Sequence, residues 1–188
     1  MRKLLLAVLL VCLLTVTSSP AQTTAAAPSD PWQPLKFLTG TWEARTSDTP
    51  GSGTAQAKVT GIYSFAFELN NHILARHSSS ANCKAPADFN CEHSDLLYLY
   101  QEGPAANSVI KAIYFDNEGH TIHYNVTTPT PTTAILLSDP VIPGPQFRLI
   151  YELKDGERKD ATLSGKFQMK MPGQPDFKSY LEWTGSRK

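Results

Sequence analysis

The stretch LKFLTGTWEA, residues 35–44, decides the fold of this chain. In its first half Leu35 and Leu38 stand at helical spacing, in phase with Trp32 upstream, which predicts a short helical turn. Gly40 then releases the chain into an extended segment, because glycine is the residue least restricted in backbone conformation. The stretch therefore predicts a helical turn that leads directly into a first strand and plugs one end of the fold.

Beyond this first strand the chain alternates between strand patterns and turn patterns, and no segment predicts a long helix. Residues 57–69 are the clearest case, since apolar side chains recur there at every second position, which is typical of a half-buried strand. Asn70-Asn71 and Asp155-Gly156 are among the turn signals between strands. Ten strands are predicted, at residues 41–46, 57–69, 72–80, 95–101, 108–116, 121–127, 133–138, 147–153, 161–171 and 177–186.

The predicted fold class is all-β, a single antiparallel up-and-down β-barrel of about ten strands with a short N-terminal helical turn. Sequential strands joined by short turns favour this topology, and we expect the first strand to pair with the last. Eight strands make a barrel that side chains just fill, whereas a larger barrel encloses a cavity. About ten strands therefore predict an internal pocket.

The N-terminal residues are assigned to targeting rather than to the barrel. A basic start, an apolar run from Leu4 to Val16 and a small-residue exit are typical of a secretory signal peptide. The run is shorter than the roughly 20 residues that span a bilayer, so we predict cleavage after Ala21 and a secreted or periplasmic location; a retained anchor is the alternative. The predicted organisation is a signal peptide at 1–21, a disordered lead at 22–31 and the barrel domain at 32–188.

The charge of the chain excludes some classes of partner. There are 17 basic and 17 acidic residues, and loss of Arg2 and Lys3 with the signal peptide leaves 15 basic against 17 acidic. Because the basic residues form no stripe, nucleic-acid binding is not predicted. After removal of the signal peptide we predict no membrane span.

Two cysteines, Cys83 and Cys91, remain after cleavage. In an exported chain such a close pair predicts a disulfide. The alternative is a metal site, since His77 and His93 flank the pair. However, seven residues separate the cysteines, which is wider than the close spacing usual in zinc sites, and we predict no metal.

The two ends of the domain resemble a known family. Gly40-x-Trp42 on the first strand, with Arg187 just beyond the last, is similar to the lipocalin and wider calycin pattern, and the opening LxxLxGxW resembles nitrobindin-like secreted bacterial members. The resemblance implies that Arg187 packs across Trp42 and closes the barrel. Nitrobindin-like members bind haem through a histidine late in the chain. The last histidine here is His123, and we predict no cofactor.

Candidate ligand contacts come from the strand residues. Tyrosines offer an apolar ring with a polar tip, and Arg76 and His77 lie on opposite faces of one strand, so one of them can point inward. The strand at 95–101 is apolar on both faces, which leaves its phase open. The predicted cavity residues are Trp42, Phe65, Phe67, Arg76, His77, Tyr98, Tyr100, Tyr114, Tyr124 and Tyr151.

The sequence contains no phosphate-binding loop, nucleophile elbow or visible catalytic dyad. We therefore expect an exported barrel that binds a small hydrophobic or amphipathic molecule in its cavity without catalysis. Two alternatives stay open. One is an isomerase or cyclase type of enzyme that uses a tyrosine and a histidine or arginine inside the barrel. The other is a structural or interaction module with a filled core.

Overall fold

Ten antiparallel strands close into one barrel in the computed structural model of the protein. The structure describes residues 30–46, 58–84, 90–104, 107–141, 143–155 and 160–188. The predicted signal peptide and most of the predicted lead lie outside these residues. The strands are β1 (Gly40–Thr46), β2 (Lys58–Glu68), β3 (Ile73–Lys84), β4 (Ser94–Glu102), β5 (Val109–Asp116), β6 (Thr121–Thr130), β7 (Thr133–Ser138), β8 (Gln146–Lys154), β9 (Thr162–Lys170) and β10 (Lys178–Arg187), preceded by a 3-10 helix (Gln33–Leu38).

The predicted topology is confirmed. Each strand pairs with its neighbour in sequence, and β1 pairs with β10 to close the ring. The expected turn after β2 is also present, because Asn70 and Asn71 adopt left-handed backbone angles, with φ of 55° and 66°. Two strands continue several residues past their predicted ends: β3 reaches Lys84 rather than residue 80, and β6 continues through Pro129 to Thr130 rather than ending at residue 127. A register shift between Thr127 and Thr130 accommodates this proline, since bulges tolerate a residue that cannot donate to the ladder.

One end of the barrel is capped by the 3-10 helix. Trp32, Leu35 and Leu38 are buried there, and Trp42 on β1 is 0% exposed. The Trp42 indole Nε1 donates to the Leu38 carbonyl oxygen at 2.9 Å, which satisfies its polar atom within the apolar end. This half of the interior is closed to solvent.

Arg187 seals the same end from outside. Its guanidinium carbon lies 4.4 Å from the centre of the Trp42 ring, and Nη1 donates to the Thr39 carbonyl oxygen at 3.1 Å. The packing expected from the resemblance is therefore present.

Replacing Arg187 by alanine should destabilise the barrel by about 1–2 kcal/mol, the range for a cation over an indole together with a lost hydrogen bond. Arg45→Ala is the matched control on β1, because Arg45 is exposed and its only ion pair among the described residues is with exposed Glu43 at 3.7 Å. Thermal unfolding followed by circular dichroism measures the difference. Equal melting temperatures for the two variants would contradict the closure.

The opposite end of the barrel is more open. Inward side chains around the capped end, such as Leu74, Leu99 and Leu163, are fully buried. Toward the other end Asp95 and Ser138 are buried, but several apolar inward side chains are only partly buried, namely Tyr114, Ile122, Phe147, Phe167 and Trp183. The interior thus has a filled half under the 3-10 helix and a half that solvent reaches. We call the second half the open half.

A disulfide lies at the rim of the open half. Cys83 near the end of β3 is bonded to Cys91, shortly before β4, with 5.4 Å between their Cα atoms. The predicted pairing is therefore confirmed. Ser80 adds a hydrogen bond from its backbone nitrogen to the His93 carbonyl oxygen at 3.1 Å. These links fix the approach to β4, whose second residue is Asp95.

Candidate functional site

A buried guanidinium lies at the centre of the barrel interior. Arg76 projects inward from β3 and is 5% exposed. It donates to the carboxylate of Asp95 on β4 and to the hydroxyl of Tyr151 on β8. Removing an arginine from water is costly unless it is paired and hydrogen-bonded, so these partners explain how the interior holds a charge.

Both members of this pair are ionised. Burial acts to lower the pKa of Arg76, but Asp95 and Tyr151 outweigh burial and raise it. Burial likewise acts to raise the pKa of Asp95, and the guanidinium together with His93 holds it below its usual range. Burial raises the pKa of Tyr151 to about 12. At neutral pH the centre is therefore an arginine–aspartate pair with a neutral tyrosine.

A chain of polar contacts leads from this pair to the rim. The second oxygen of Asp95 lies 3.4 Å from His93 Nε2, and the Tyr114 hydroxyl lies 3.2 Å from the same nitrogen. The other ring nitrogen of His93 lies 3.4 Å from Glu118, whose side chain is exposed. The contacts connect an exposed carboxylate to the buried guanidinium through one histidine.

Asp116 at the end of β5 fixes the geometry of this rim. Its carboxylate accepts backbone hydrogen bonds from Glu118 at 3.0 Å and His120 at 2.9 Å. It also contacts the His120 ring nitrogen at 2.9 Å and accepts from the Tyr114 hydroxyl at 3.2 Å. These bonds outweigh the burial that acts against the charge, and the pKa of Asp116 is lowered. The turn that carries Glu118 is therefore held against the barrel.

The rim also brings together possible metal ligands. One atom each of His93, Asp116 and Glu118 lies within 4.8 Å of the others. Imidazole and carboxylate are ligands for divalent transition metals, so these side chains could accept such an ion. In the structure His93 lies 3.4 Å from Glu118, and the Asp116 carboxylate accepts from the backbone of the turn.

Aromatic side chains surround the central pair. Tyr151 is in edge-to-face contact with Phe65 and Trp183, with ring centres 5.3 Å and 6.0 Å apart. Across the open half, Phe147 and Phe167 stack at 5.6 Å. These contacts give the open half apolar walls around one polar centre.

Gly165 on β9 makes room for the Trp183 ring. A Cβ atom at that position would lie 2.1 Å from the indole carbons, so any other residue would force the ring to move. A glycine in mid-strand otherwise weakens a strand, and the close approach of this indole explains its presence.

The structure divides the ten sequence-predicted cavity residues between three environments. Those inside the barrel and near the central pair are Phe65, Arg76, Tyr114, Tyr124 and Tyr151. Trp42 and Phe67 also point inward, but they belong to the capped end, where Phe67 packs edge-on against Trp32 at 5.6 Å. Tyr98, Tyr100 and His77 lie on the outer face.

The phase of β4 explains why the two tyrosines lie outside. Leu97 and Leu99 are fully buried, and strand side chains alternate between faces, so Tyr98 and Tyr100 point outward. Tyr98 contacts the ring of His77, and His77 lies 3.1 Å from Glu68 on the surface with half of its side chain exposed. The expectation that these three line the cavity does not hold, because Leu97 and Leu99 fill the inner face of β4 and Arg76 takes the inward position beside His77 on β3.

Three residues of the site are absent from the predicted set, namely His93, Asp95 and Trp183. Asp95 shares its strand phase with Leu97 and Leu99, which are buried. This phase, together with Arg76 on the neighbouring strand, indicates that Asp95 points inward. Trp183 shares its phase with Leu181 on β10. His93 precedes β4, and its role depends on its contact with the turn after β5. No sequence pattern predicts that this turn lies near His93.

His93 should make stability depend on pH. Its hydrogen bond to Asp95 raises its pKa above the usual value near 6.5, although partial burial opposes this. Because the pKa of His93 is raised in the folded state, protonated His93 contributes its full stabilisation below about pH 6.5. This contribution is lost as the pH rises through the folded-state pKa. We expect the free energy of unfolding of the wild type to fall over that range and that of His93→Gln to stay flatter.

Urea titrations at a series of pH values test this expectation. His123→Gln is the matched control, because His123 is exposed on the outer face of β6 and forms no ion pair with other described residues. It should keep the slope of the wild type. A wild-type slope that survives in His93→Gln would show that another group is responsible.

Among the described residues, two recesses lie on the barrel wall. One of about 280 Å3 lies where β9 turns into β10 at the open end and is lined by Met169, Lys178 and Tyr180 among others. The other, of about 610 Å3, lies across β2 to β5 and is lined by outward side chains such as Ile62, Leu96 and Phe115. The first adjoins the open half, since Met169 follows Phe167 on the inner face of β9.

Comparison with models of known protein families gives no match, and comparison with functionally characterised proteins gives no significant match. Among the described residues, no helix has both the length and the apolar character needed to cross a membrane.

Proposed function

We propose that the barrel binds a small hydrophobic or amphipathic molecule in its open half without catalysing a reaction. The observation that carries this proposal is the partial exposure of inward aromatic side chains around one buried polar centre. Ligand sites combine apolar walls with a few placed polar groups in the same way. The capped half supplies the rigid support that such a site needs.

Native mass spectrometry of the protein from its own host tests the proposal by detecting a co-purified molecule. A panel of fatty acids, isoprenoids and haem, followed by the fluorescence of the tryptophans, extends the test to purified protein. Absence of any bound molecule in both measurements would overturn the proposal.

A matched pair of variants locates the ligand. Phe167→Ser removes one ring of the stacked pair in the open half and should weaken binding at least about tenfold, as expected for loss of a buried aromatic contact. Phe115→Ser on the outer face, where Phe115 is 36% exposed, should leave binding unchanged. The reverse result would place the ligand in the outer recess.

An isomerase or cyclase type of enzyme is the second candidate. The observation in its favour is the contact chain from Glu118 through His93 to Asp95, Arg76 and Tyr151, since histidine is the usual proton carrier near neutral pH. Incubation of a bound molecule with the protein, followed by mass and chiral analysis, separates the candidates. An altered product that is lost in His93→Gln favours the enzyme.

We further propose that the protein is an exported, calycin-like barrel. Supporting this are the signal-like residues 1–21, the disulfide between Cys83 and Cys91 and the packing of Arg187 on Trp42. The mature chain should begin at Gln22, which intact mass of protein from the host measures. A full-length chain in the reducing cytoplasm would contradict export.

A further inference from the structure

The central guanidinium has a hydrogen-bond donor left over. Arg76 Nε is a buried nitrogen without a hydrogen-bond partner in the described part of the chain. An arginine and a carboxylate commonly form two parallel bonds, but here one oxygen of Asp95 takes Nη2 and the other faces His93. The position that would satisfy Nε is therefore not filled by Asp95. Buried donors of this kind are rare and call for an acceptor.

Tyrosine hydroxyls add further donors at the same place. The Tyr151 hydroxyl accepts from Arg76 Nη1, so its own proton remains to be donated. Tyr124 is 2% exposed, and its pKa is raised by burial and by the neighbouring Tyr151, which keeps its hydroxyl protonated. The centre thus offers protons from Arg76, Tyr151 and Tyr124 and is short of acceptors.

The charge of the centre is already balanced. Arg76 and Asp95 neutralise each other, and the tyrosines are uncharged at neutral pH because the ordinary pKa of tyrosine is near 10. A ligand carboxylate would bring a second negative charge next to the buried carboxylate of Asp95, where an unpaired charge is strongly disfavoured. A neutral acceptor meets the free donors without this cost.

We infer that the ligand carries a carbonyl oxygen of the ketone, ester or amide type on an apolar body, with the oxygen bound at Arg76 Nε and the tyrosine hydroxyls. This inference rests on the proposed binding function and specifies its ligand class. The apolar body then lies against Trp183, Phe147 and Phe167 in the open half.

Three probes of matched size test the inference: 2-acetylnaphthalene, 2-ethylnaphthalene and 2-naphthoate. Dissociation constants from fluorescence titration should be at least about tenfold lower for the ketone than for the hydrocarbon, the factor expected for one buried hydrogen bond. The carboxylate should bind more weakly than the ketone. Equal binding of ketone and hydrocarbon, or tightest binding of the carboxylate, would overturn the inference while leaving the binding function in place.

Arg76→Lys tests the donor itself, because lysine keeps a positive charge for Asp95 but has no Nε–H at that position. It should remove the preference for the ketone, so that the ratio of the two dissociation constants, ketone to hydrocarbon, approaches one. Arg148→Lys is the matched control, since the Arg148 Nε donates to Gln168 at 2.8 Å on the outer face. A ketone preference that persists in Arg76→Lys would overturn the assignment.

If Arg76→Lys does not fold, a measurement on the wild-type protein tests the inference instead. The Nε–H resonance of Arg76 in a nitrogen-15 spectrum should shift when 2-acetylnaphthalene is added and stay in place with 2-ethylnaphthalene. No shift with a bound ketone would overturn the inference. If none of the probes binds and no molecule co-purifies from the host, the binding function and the inference fail together.

Discussion

Replacing Arg76 by methionine is expected to lower the free energy of unfolding by about 3–5 kcal/mol, the range measured when one partner of a buried ion pair is removed. The variant would leave the Asp95 carboxylate, which is 6% exposed, without its guanidinium. His93 remains 3.4 Å away but is partly exposed and cannot replace a buried charge. Chemical unfolding followed by tryptophan fluorescence measures the loss.

The double variant Arg76→Met with Asp95→Leu separates charge from packing. Replacing a whole buried pair by apolar residues is often neutral or stabilising, so the double variant should recover most of the stability lost in the single one. Arg148→Met on the outer face is the matched control and should cost far less, since its charge is not buried. A double variant no more stable than Arg76→Met would mean that the loss comes from packing alone.

The buried Arg76–Asp95 pair bears on the proposed binding function. A buried ion pair adds little to the stability of a barrel, because apolar residues of similar size give a similar free energy of unfolding. Its retention inside aromatic walls fits a role in which donors must point at a bound molecule. The loss of binding in the double variant, with stability kept, would be the expected sign of that role.

The fold was accessible to sequence reasoning because its signals are local. Apolar alternation over residues 57–69 and the turns at Asn70-Asn71 and Asp155 each depend on a few neighbouring residues. Ring closure is a long-range feature, and the resemblance of Gly40-x-Trp42 and Arg187 to the calycin pattern implied it. Short turns fix the register of the strand pairs that they join, but the register shifts in the β2–β3, β6–β7 and β9–β10 pairs do not follow from the turns.

The site was less accessible because it depends on which face of a strand is inside. Arg76 and His77 are adjacent and polar, so either could have pointed inward, and period-two alternation cannot choose between them. β4 is apolar on both faces, and only its packing against the barrel interior selects Leu97 and Leu99 over Tyr98 and Tyr100. The approach of His93 to Glu118 joins residues 25 positions apart, which no local pattern encodes.

The two halves of the interior predict different outcomes for two tryptophans. Trp42→Ala should cost about 3–5 kcal/mol, the range for truncating a buried aromatic residue. The ring is fully buried under the 3-10 helix, and its loss leaves a cavity and an unpaired Leu38 carbonyl oxygen. It also leaves Arg187 without the ring it covers. Unfolding by urea, followed by circular dichroism, measures the cost.

Trp183→Ala is the matched comparison, because it removes the same side chain from the open half. Trp183 is only partly buried and its ring crosses the space above Gly165. Less apolar area is removed from water at this position, so the loss of stability should be clearly smaller than for Trp42→Ala. The variant should instead alter the affinity for small apolar probes, since it removes one wall of the proposed site. If the two variants lose equal stability and Trp183→Ala leaves probe binding unchanged, the division of the interior into a supporting half and a binding half is wrong.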